Sequence, residues 1–359
     1  MDRNRSILLA VPYKGLINGH LTTANSIKKS IIKFGLKIKE IEQPTRYNHS
    51  VIKYLQYIFK IINFNIKEKN KIYYIFLHRT RFSFYLKDLP IFVFAIFSKS
   101  RIVVHLIGGD LRIFFDKLTS LEKSFFLFLF SKISNWVVLG KKMKKDILFF
   151  EKNKKKIIIN PGLYENINFK NIKKSKNNEI VISYMSHLIY EKGIVLFIKL
   201  VIDLVENHKL KIKVRIAGKI LRGFENKEVE EIIKIANEKD YIFFDGVLKG
   251  YQKWKFLSSS TIFVLPTFYQ SESLPLVLLD AMRAGCYCIS SSIGEIGYLL
   301  SENRGCAISN ITKNKLKNKI LMLIKNPNKI KESSSRAKKF VINNFSQNKY
   351  DEMLIKTLS

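Results

Sequence analysis

Cysteine is scarce: three in 359 residues, at Cys286, Cys288 and Cys306. So small and odd a number offers no disulfide framework. Cys286 and Cys288 alternate through an apolar run, as buried strand residues do. No His/Cys group has metal-ligand spacing, which argues against structural zinc and for a reducing compartment. Long apolar runs are missing too. The longest, LPIFVFAIF (Leu89–Phe97), holds nine uncharged residues, where a membrane-spanning helix needs about 20. The opening MDRNRSILLAVP runs straight into a strand-like segment and shows no secretory pattern. There is no G-x-x-x-x-G-K-[ST] loop, no G-x-G-x-x-G after the first strand and no G-x-S-x-G elbow. A D-x-D pair that would hold a divalent metal is absent as well.

Acidic residues are the other shortage. Asp and Glu number 29 against 63 Lys and Arg, a formal charge of +34. Residues 1–160 carry 31 basic and 10 acidic residues, a net of +21, which leaves +13 for the rest. Abundant Lys, Asn and Ile throughout account for much of the average basicity. The concentration in the first half points instead to a polyanionic partner: an anionic membrane surface, a phosphorylated substrate or nucleic acid. Lys141–Lys156 alone holds eight lysines, with Phe149 and Phe150 inside the run.

What is present is strand and helix in alternation. SILLAVP (6–12), LKIKEIE (36–42), KIYYIFLH (71–78), RIVVHLI (101–107), NWVVLG (135–140) and KIIINP (156–161) are rich in β-branched and aromatic residues. Segments of helix length separate them, the pattern of βαβ units around a buried parallel sheet. The rhythm pauses at Pro161-Gly162 and the polar Lys/Asn-rich run after it. It resumes with EIVISYMS (179–186), KIKVRIAG (211–218), YIFFDGV (241–247), TIFVLP (261–266) and CYCISSS (286–292). The tail from Lys313 reads as helix. The expectation is an α/β chain of two Rossmann-like domains facing each other across a cleft. Residues 1–162 form the first, 163–340 the second, and a helix in 341–359 returns to the first. Ligands of such sheets bind beyond the carboxyl ends of the strands.

The segment ESLPLVLLDAM (Glu272–Met282) sets two carboxylates eight positions apart around an apolar helical run. Pro275 suits a first helical turn, and Gly285 a helix stop. The free amides near Leu276 and Val277 form an anion site. Carboxylates beside a bound phosphate would repel it, so Glu272 and Asp280 are expected to accept hydrogen bonds from hydroxyls. A ligand with both phosphates and sugars fits: a nucleotide sugar.

This stretch resembles the E-x7-E signature of the retaining, family 4 type of GT-B-fold glycosyltransferases, with Asp280 at the second Glu position. DAMRAGCYCISSSIGEIGYLL is similar to the family's continuation through a helix end, a strand and a Gly-Glu-Ile loop. SYMSHLIYEKGIVLFI resembles the segment that opens its C-terminal domain. The resemblance implies that Glu272 binds the transferred sugar, with Ser273 and Leu274 beside it, that Asp280 binds the ribose diol, and that Lys192 pairs with the diphosphate. His187 stands where the family often has an Arg on the diphosphate, and a mostly neutral imidazole supplies less charge. Gly15 and Gly19, in VPYKGLINGHLTTAN, allow backbone to approach phosphate, Gly19 matching the family's loop glycine. His105 matches a histidine near the donor sugar, and the backbone at Leu248 would contact the base.

The resulting expectation is a retaining, metal-independent glycosyltransferase, with no cofactor beyond a nucleoside-diphosphate sugar, a UDP-sugar. The resemblance implies a lipid-linked saccharide as acceptor, in bacterial surface polysaccharide or lipopolysaccharide synthesis. The enzyme would be cytoplasmic and peripheral on the inner face of the plasma membrane, held by its anionic surface. Two rivals stand: a sugar-nucleotide-binding protein with impaired catalysis, and a basic nucleic-acid-binding protein. Against the second, the basic residues are spread along the chain, with no helix-turn-helix, zinc or RNP-like motif, so nucleic acid is not expected as a partner.

Overall fold

Apolar runs without alternation become the strands of two parallel sheets, because such strands are covered by helices on both faces. The computed structural model describes residues 5–11, 19–44, 50–160, 179–221 and 223–359. Gly15, Pro161-Gly162 and nearly all of the Lys/Asn-rich run after them lie outside the described residues. The chain divides into two compact units, Met1–Leu163 with Gln347–Ser359, and Tyr164–Ser346.

The first unit is built on β1 (Arg5–Val11), β2 (Lys37–Glu42), β3 (Asn70–Phe76), β4 (Arg101–His105), β5 (Asn135–Val138) and β6 (Ile157–Ile159). Their order across the sheet is β2-β1-β3-β4-β5-β6, with every neighbour parallel. Six of the seven residues of β1 are buried, whereas the edge strand β2 alternates. Helices α1 (Gly19–Lys33) and α2 (Val51–Lys67) follow β1 and β2.

The second unit carries β7 (Ile180–Met185), β8 (Ile212–Ala217), β9 (Ile242–Gly246), β10 (Ile262–Leu265), β11 (Tyr287–Ser291) and β12 (Cys306–Ile308). Here the order is β12-β11-β10-β7-β8-β9, again parallel throughout. The chain runs outward from β7 to β8 and β9, then crosses back to lay β10 on the other side of β7. The sheet therefore has a topological switch between β7 and β10, where the loops leaving the two strands diverge and open a crevice. β12 escaped the sequence pattern: three half-buried residues at a sheet edge carry no run long enough to read.

The last helix, Gln347–Leu358, packs into the first unit. Tyr350, Leu354 and Leu358 enter the core formed by Ile27 and Ile31 of α1, Leu9 of β1 and Tyr74 of β3. Asp351 supplies the polar anchor. Its carboxylate accepts from Ser30 Oγ at 2.6 Å and Gln347 Nε2 at 2.6 Å, and pairs with Lys33 Nζ at 2.7 Å. Burial pushes the Asp351 carboxyl up, but the hydrogen bonds from Lys33, Ser30 and Gln347 outweigh it and hold the group below the usual aspartate range. Arg101 and Arg5 meet the other end, Arg101 donating to the Leu358 carbonyl at 3.0 Å and Arg5 to that of Ser359 at 3.0 Å. The chain passes from the second unit to the first after Ser346 rather than after residue 340. The preceding helix, Pro327–Asn344, continues across that point, with Val341 and Phe345 still buried.

This anchoring generates a stability expectation. Asp351→Ala strands hydrogen-bond donors in a buried setting and should destabilise the first unit by about 1–3 kcal/mol. Leu354→Ala opens a cavity and should cost about 2–5 kcal/mol. Lys33→Ala, which removes a mostly exposed partner, should stay within about 1 kcal/mol. Urea unfolding of the three variants checks the ranking. Equal effects of Asp351→Ala and Lys33→Ala would mean that the carboxylate does not anchor the helix.

Candidate functional site

The switch between β7 and β10 collects two loops that are 80 residues apart in sequence. β7 continues into Ser186–Gly193, which ends in a short 3-10 turn, Tyr190–Lys192. β10 continues into Pro266–Pro275 and then the helix Leu276–Ala284. Backbone bonds stitch the loops together, the Phe268 N–H donating to the Glu191 carbonyl at 2.8 Å. Gly193 sits at φ 79° against Pro266, where any Cβ would collide with the Pro266 carbonyl. A side chain at that position would push the lysine turn off the end of β10.

Held this way, Lys192 Nζ reaches Glu272 Oε2 at 2.5 Å, their side chains 14% and 8% exposed. Thr267 Oγ1 lies 3.2 Å from the same oxygen, and Lys192 Nζ stands 4.8 Å from the centre of the Tyr269 ring. Beneath them the Tyr184 hydroxyl lies 3.1 Å from the His187 carbonyl and 3.3 Å from that of Lys192. Burial, with a smaller contribution from the Glu272 charge, pushes the Tyr184 phenol up, so it stays a proton donor under the loop. From the other side the loop before Ile296 braces Glu272. The Glu295 N–H donates to the Ser273 carbonyl at 2.7 Å. Gly294, at φ 50°, passes so close to the Glu272 and Ser273 carbonyls that a Cβ would strike both.

The second carboxylate is also held by a lysine. Asp280, buried on the helix flank, has its Oδ2 3.1 Å from Lys253 Nζ, which rises from the helix Gly250–Ser258. Leu276 and Val277 are half-buried in the first turn, which has Pro275 at its N-cap and no side-chain cap. Ser273 and Leu274 are buried beside them. Leu248 is half-buried in the loop after β9, at the same carboxyl edge of the sheet.

His187 is half-buried at the start of the β7 loop. Burial lowers its pKa from 6.5, and the charges of Lys192 and Lys219 lower it further. The imidazole is therefore neutral near pH 7 and takes up its proton at lower pH than a free histidine.

Lys192 and Glu272, expected separately from the sequence, thus meet in an ion pair, with His187 within reach of the Lys192 charge. Asp280 joins Lys253 instead. Thr267, Tyr184, Tyr269, Lys219 and Lys253 carried no sequence signal, because each acts through a partner far away in the chain. Gly294-Glu295 had one, the Gly-Glu-Ile loop after β11. Gly19 and His105 belong to the first unit. Gly19 opens α1. His105, at the end of β4, is only 1% exposed, its Nδ1 2.9 Å from the Tyr74 hydroxyl and its ring packed on Phe76.

Residues 165–340, just under half of the chain, match the family model described as Glycosyl transferases group 1. Two uncharacterized glycosyltransferases of Methanocaldococcus jannaschii are similar in sequence. One is 27% identical over 286 residues, 75% of this chain and 71% of that protein. The other is 28% identical over 138 residues, 38% of this chain and only 34% of that protein, so this chain matches about a third of its length. Among solved structures, Anabaena HepE in complex with UDP aligns at a TM-score of 0.73 with 13% identity, over 98% of this chain and 99% of that one. A sucrose-phosphate synthase from Thermosynechococcus elongatus aligns at 0.71 with 11% identity, over 99% and 98%. These likenesses establish the fold as GT-B, two parallel α/β units in one chain.

The lowered pKa of His187 fixes the sign of one pH effect. The unfolded histidine titrates near 6.5 and the folded one below that, so the unfolded state binds more protons in between. His187 leaves stability intact above pH 6.5 and reduces it as pH falls from there through the folded value. In urea unfolding between pH 5 and 8, His187→Gln should lose less stability on acidification than the parent chain. Parallel pH profiles would mean that His187 titrates in the fold as it does in water.

Proposed function

We propose, from a chain that carries a group 1 glycosyltransferase domain on a GT-B fold, that the β7–β10 switch binds a UDP-sugar and transfers its sugar with retention at the anomeric carbon. The observation that carries this reading is the Lys192–Glu272 pair, braced by glycines on both sides at the place where open α/β sheets hold ligands. A carboxylate and an ammonium side by side suit a donor in which sugar hydroxyls adjoin a diphosphate. Glu272 accepts from the hydroxyls, and Lys192 turns toward the phosphate oxygens with the amides of Leu276 and Val277. Asp280, held by Lys253, accepts from the ribose diol.

In the reaction the bond from the anomeric carbon to the diphosphate oxygen breaks as the acceptor oxygen bonds to that carbon from the same face. The acceptor proton passes to the departing diphosphate. Lys192 and the helix amides stabilise the charge that grows there, a contribution larger in the transition state than in the bound donor. No carboxylate is assigned as a covalent nucleophile. The family resemblance supports retention, and the same resemblance supports a lipid-linked saccharide as acceptor. The +21 carried by residues 1–160 is in keeping with work at an anionic surface. A second reading is favoured by His187. Its neutral ring leaves the diphosphate one cation short of the family's pattern, so donor binding without transfer is the alternative.

Two measurements decide between these readings. A mass-spectrometric binding screen of UDP- and GDP-sugars should find a UDP-sugar bound, and a retained anomer should appear in the transfer product. Glu272→Ala and Lys192→Ala should each reduce transfer at least tenfold with the fold preserved, the effect of one charge-assisted contact of roughly 1.5–3 kcal/mol. Wild-type transfer in both variants would refute the site assignment, and donor binding with no transfer or hydrolysis would leave a binding protein.

Donor affinity carries a pH signature as well. A bound diphosphate raises the His187 pKa, so affinity should climb as pH falls through the histidine range and level off above it, and His187→Arg should remove the slope. A flat wild-type profile would leave the diphosphate to Lys192 and the amides.

A further inference from the structure

Helix α2 has two apolar faces. Tyr57, Ile61 and Phe64 are buried against the first unit. On the opposite side Val51, Ile52, Leu55, Phe59 and Ile66 are between 60% and 79% exposed. At about 100° per residue these five fall within one arc roughly 100° wide, a continuous stripe along a helix about 25 Å long. Lys53, Lys60 and Lys67, seven residues apart, form a row between the stripe and the buried face. The helix has no Asp or Glu. Phe97, 83% exposed, ends the helix Leu89–Phe97, which packs beside α2. A solvated helix does not need this stripe, and an interior helix would not leave it open.

We propose that α2 is the surface by which this protein sits on an anionic lipid bilayer. The helix lies in the plane of the interface, its stripe about 5–10 Å into the headgroup and acyl boundary, with the lysine row on the anionic headgroups. Charge selects this occupant. A second copy of the chain would bring the same acid-free, lysine-bearing helix against this one, like charge on like. Among the described residues no helix is long and apolar enough to cross a membrane, so the contact is peripheral. The basic run Lys141–Lys156 is less suited to insertion. Phe150 packs edge-on against Phe115 and Phe130, at 5.0 and 5.5 Å between ring centres, and Arg112 covers the Phe149 ring at 3.6 Å. Its lysines add long-range attraction only. The proposal rests on the reading of the acceptor as lipid-linked, and it supplies the element that brings the enzyme to that acceptor.

Co-sedimentation of the full chain with vesicles tests it. Phosphatidylcholine vesicles containing phosphatidylglycerol should bind the protein at low salt, and pure phosphatidylcholine vesicles should bind it weakly. Leu55→Ser with Phe59→Ser should lower the vesicle partition coefficient at least tenfold. Replacing Lys53, Lys60 and Lys67 by Gln should weaken binding and flatten its salt dependence, and both variants should bind the UDP-sugar as the parent does. Vesicle binding unchanged by the serine variant would overturn the role of α2. So would a parent chain that ignores anionic vesicles, whether it sediments as a monomer or as a dimer that the serine variant dissolves. Donor binding without vesicles reports on the β7–β10 site alone, so either idea can fail without the other.

Discussion

The ion pair between Lys192 and Glu272 depends on a topological choice made far from either residue. Because β10 returns to the opposite side of β7 from β8, two loops 80 residues apart leave the sheet side by side. An isolated surface lysine and glutamate gain little from pairing, since water screens them and both side chains lose freedom. Here both are nearly buried, Thr267 shares the carboxylate, and the backbone on each side is locked by a glycine that tolerates no Cβ. Removing one partner would leave a charge in a poorly solvated setting.

That arrangement also sets the electrostatics. Each acid of the motif is matched by a lysine, so the two pairs together contribute no net charge at the switch. On the proposed reading, attraction for a diphosphate comes from Lys192 once it turns from Glu272, from the first turn of the helix Leu276–Ala284, which has no side-chain cap, and from Lys219 and His187. An arginine in place of His187 would hold its charge at every pH. With histidine, burial and the charges of Lys192 and Lys219 all disfavour the protonated ring, so it is neutral near pH 7.

The first unit shows charge used differently. Its last helix is held by one carboxylate that satisfies a serine, a glutamine and a lysine, while Arg5 and Arg101 take the carbonyls at the helix end. Such donors at a helix C-terminus satisfy carbonyls that have no partner within the helix and complement its dipole. The surplus of lysine beyond these roles lies on the surface. Along α2 it is ordered into a row beside exposed apolar side chains rather than scattered.

From the sequence alone, eleven of the twelve strands among the described residues were legible as apolar runs, and so was the α/β class, because a doubly covered parallel sheet demands uninterrupted β-branched and aromatic residues. The helix between Glu272 and Asp280 was legible too, from its proline and its glycine. What local pattern could not decide was who meets whom. It did not show that Glu272 faces Lys192, that Asp280 faces Lys253, or that His105 is enclosed with Tyr74. Nor did it separate the two apolar faces of α2, since an apolar residue reads the same whether its neighbour is core or water. Those outcomes follow from strand order and packing, which bring together residues tens of positions apart, and only the folded chain fixes them.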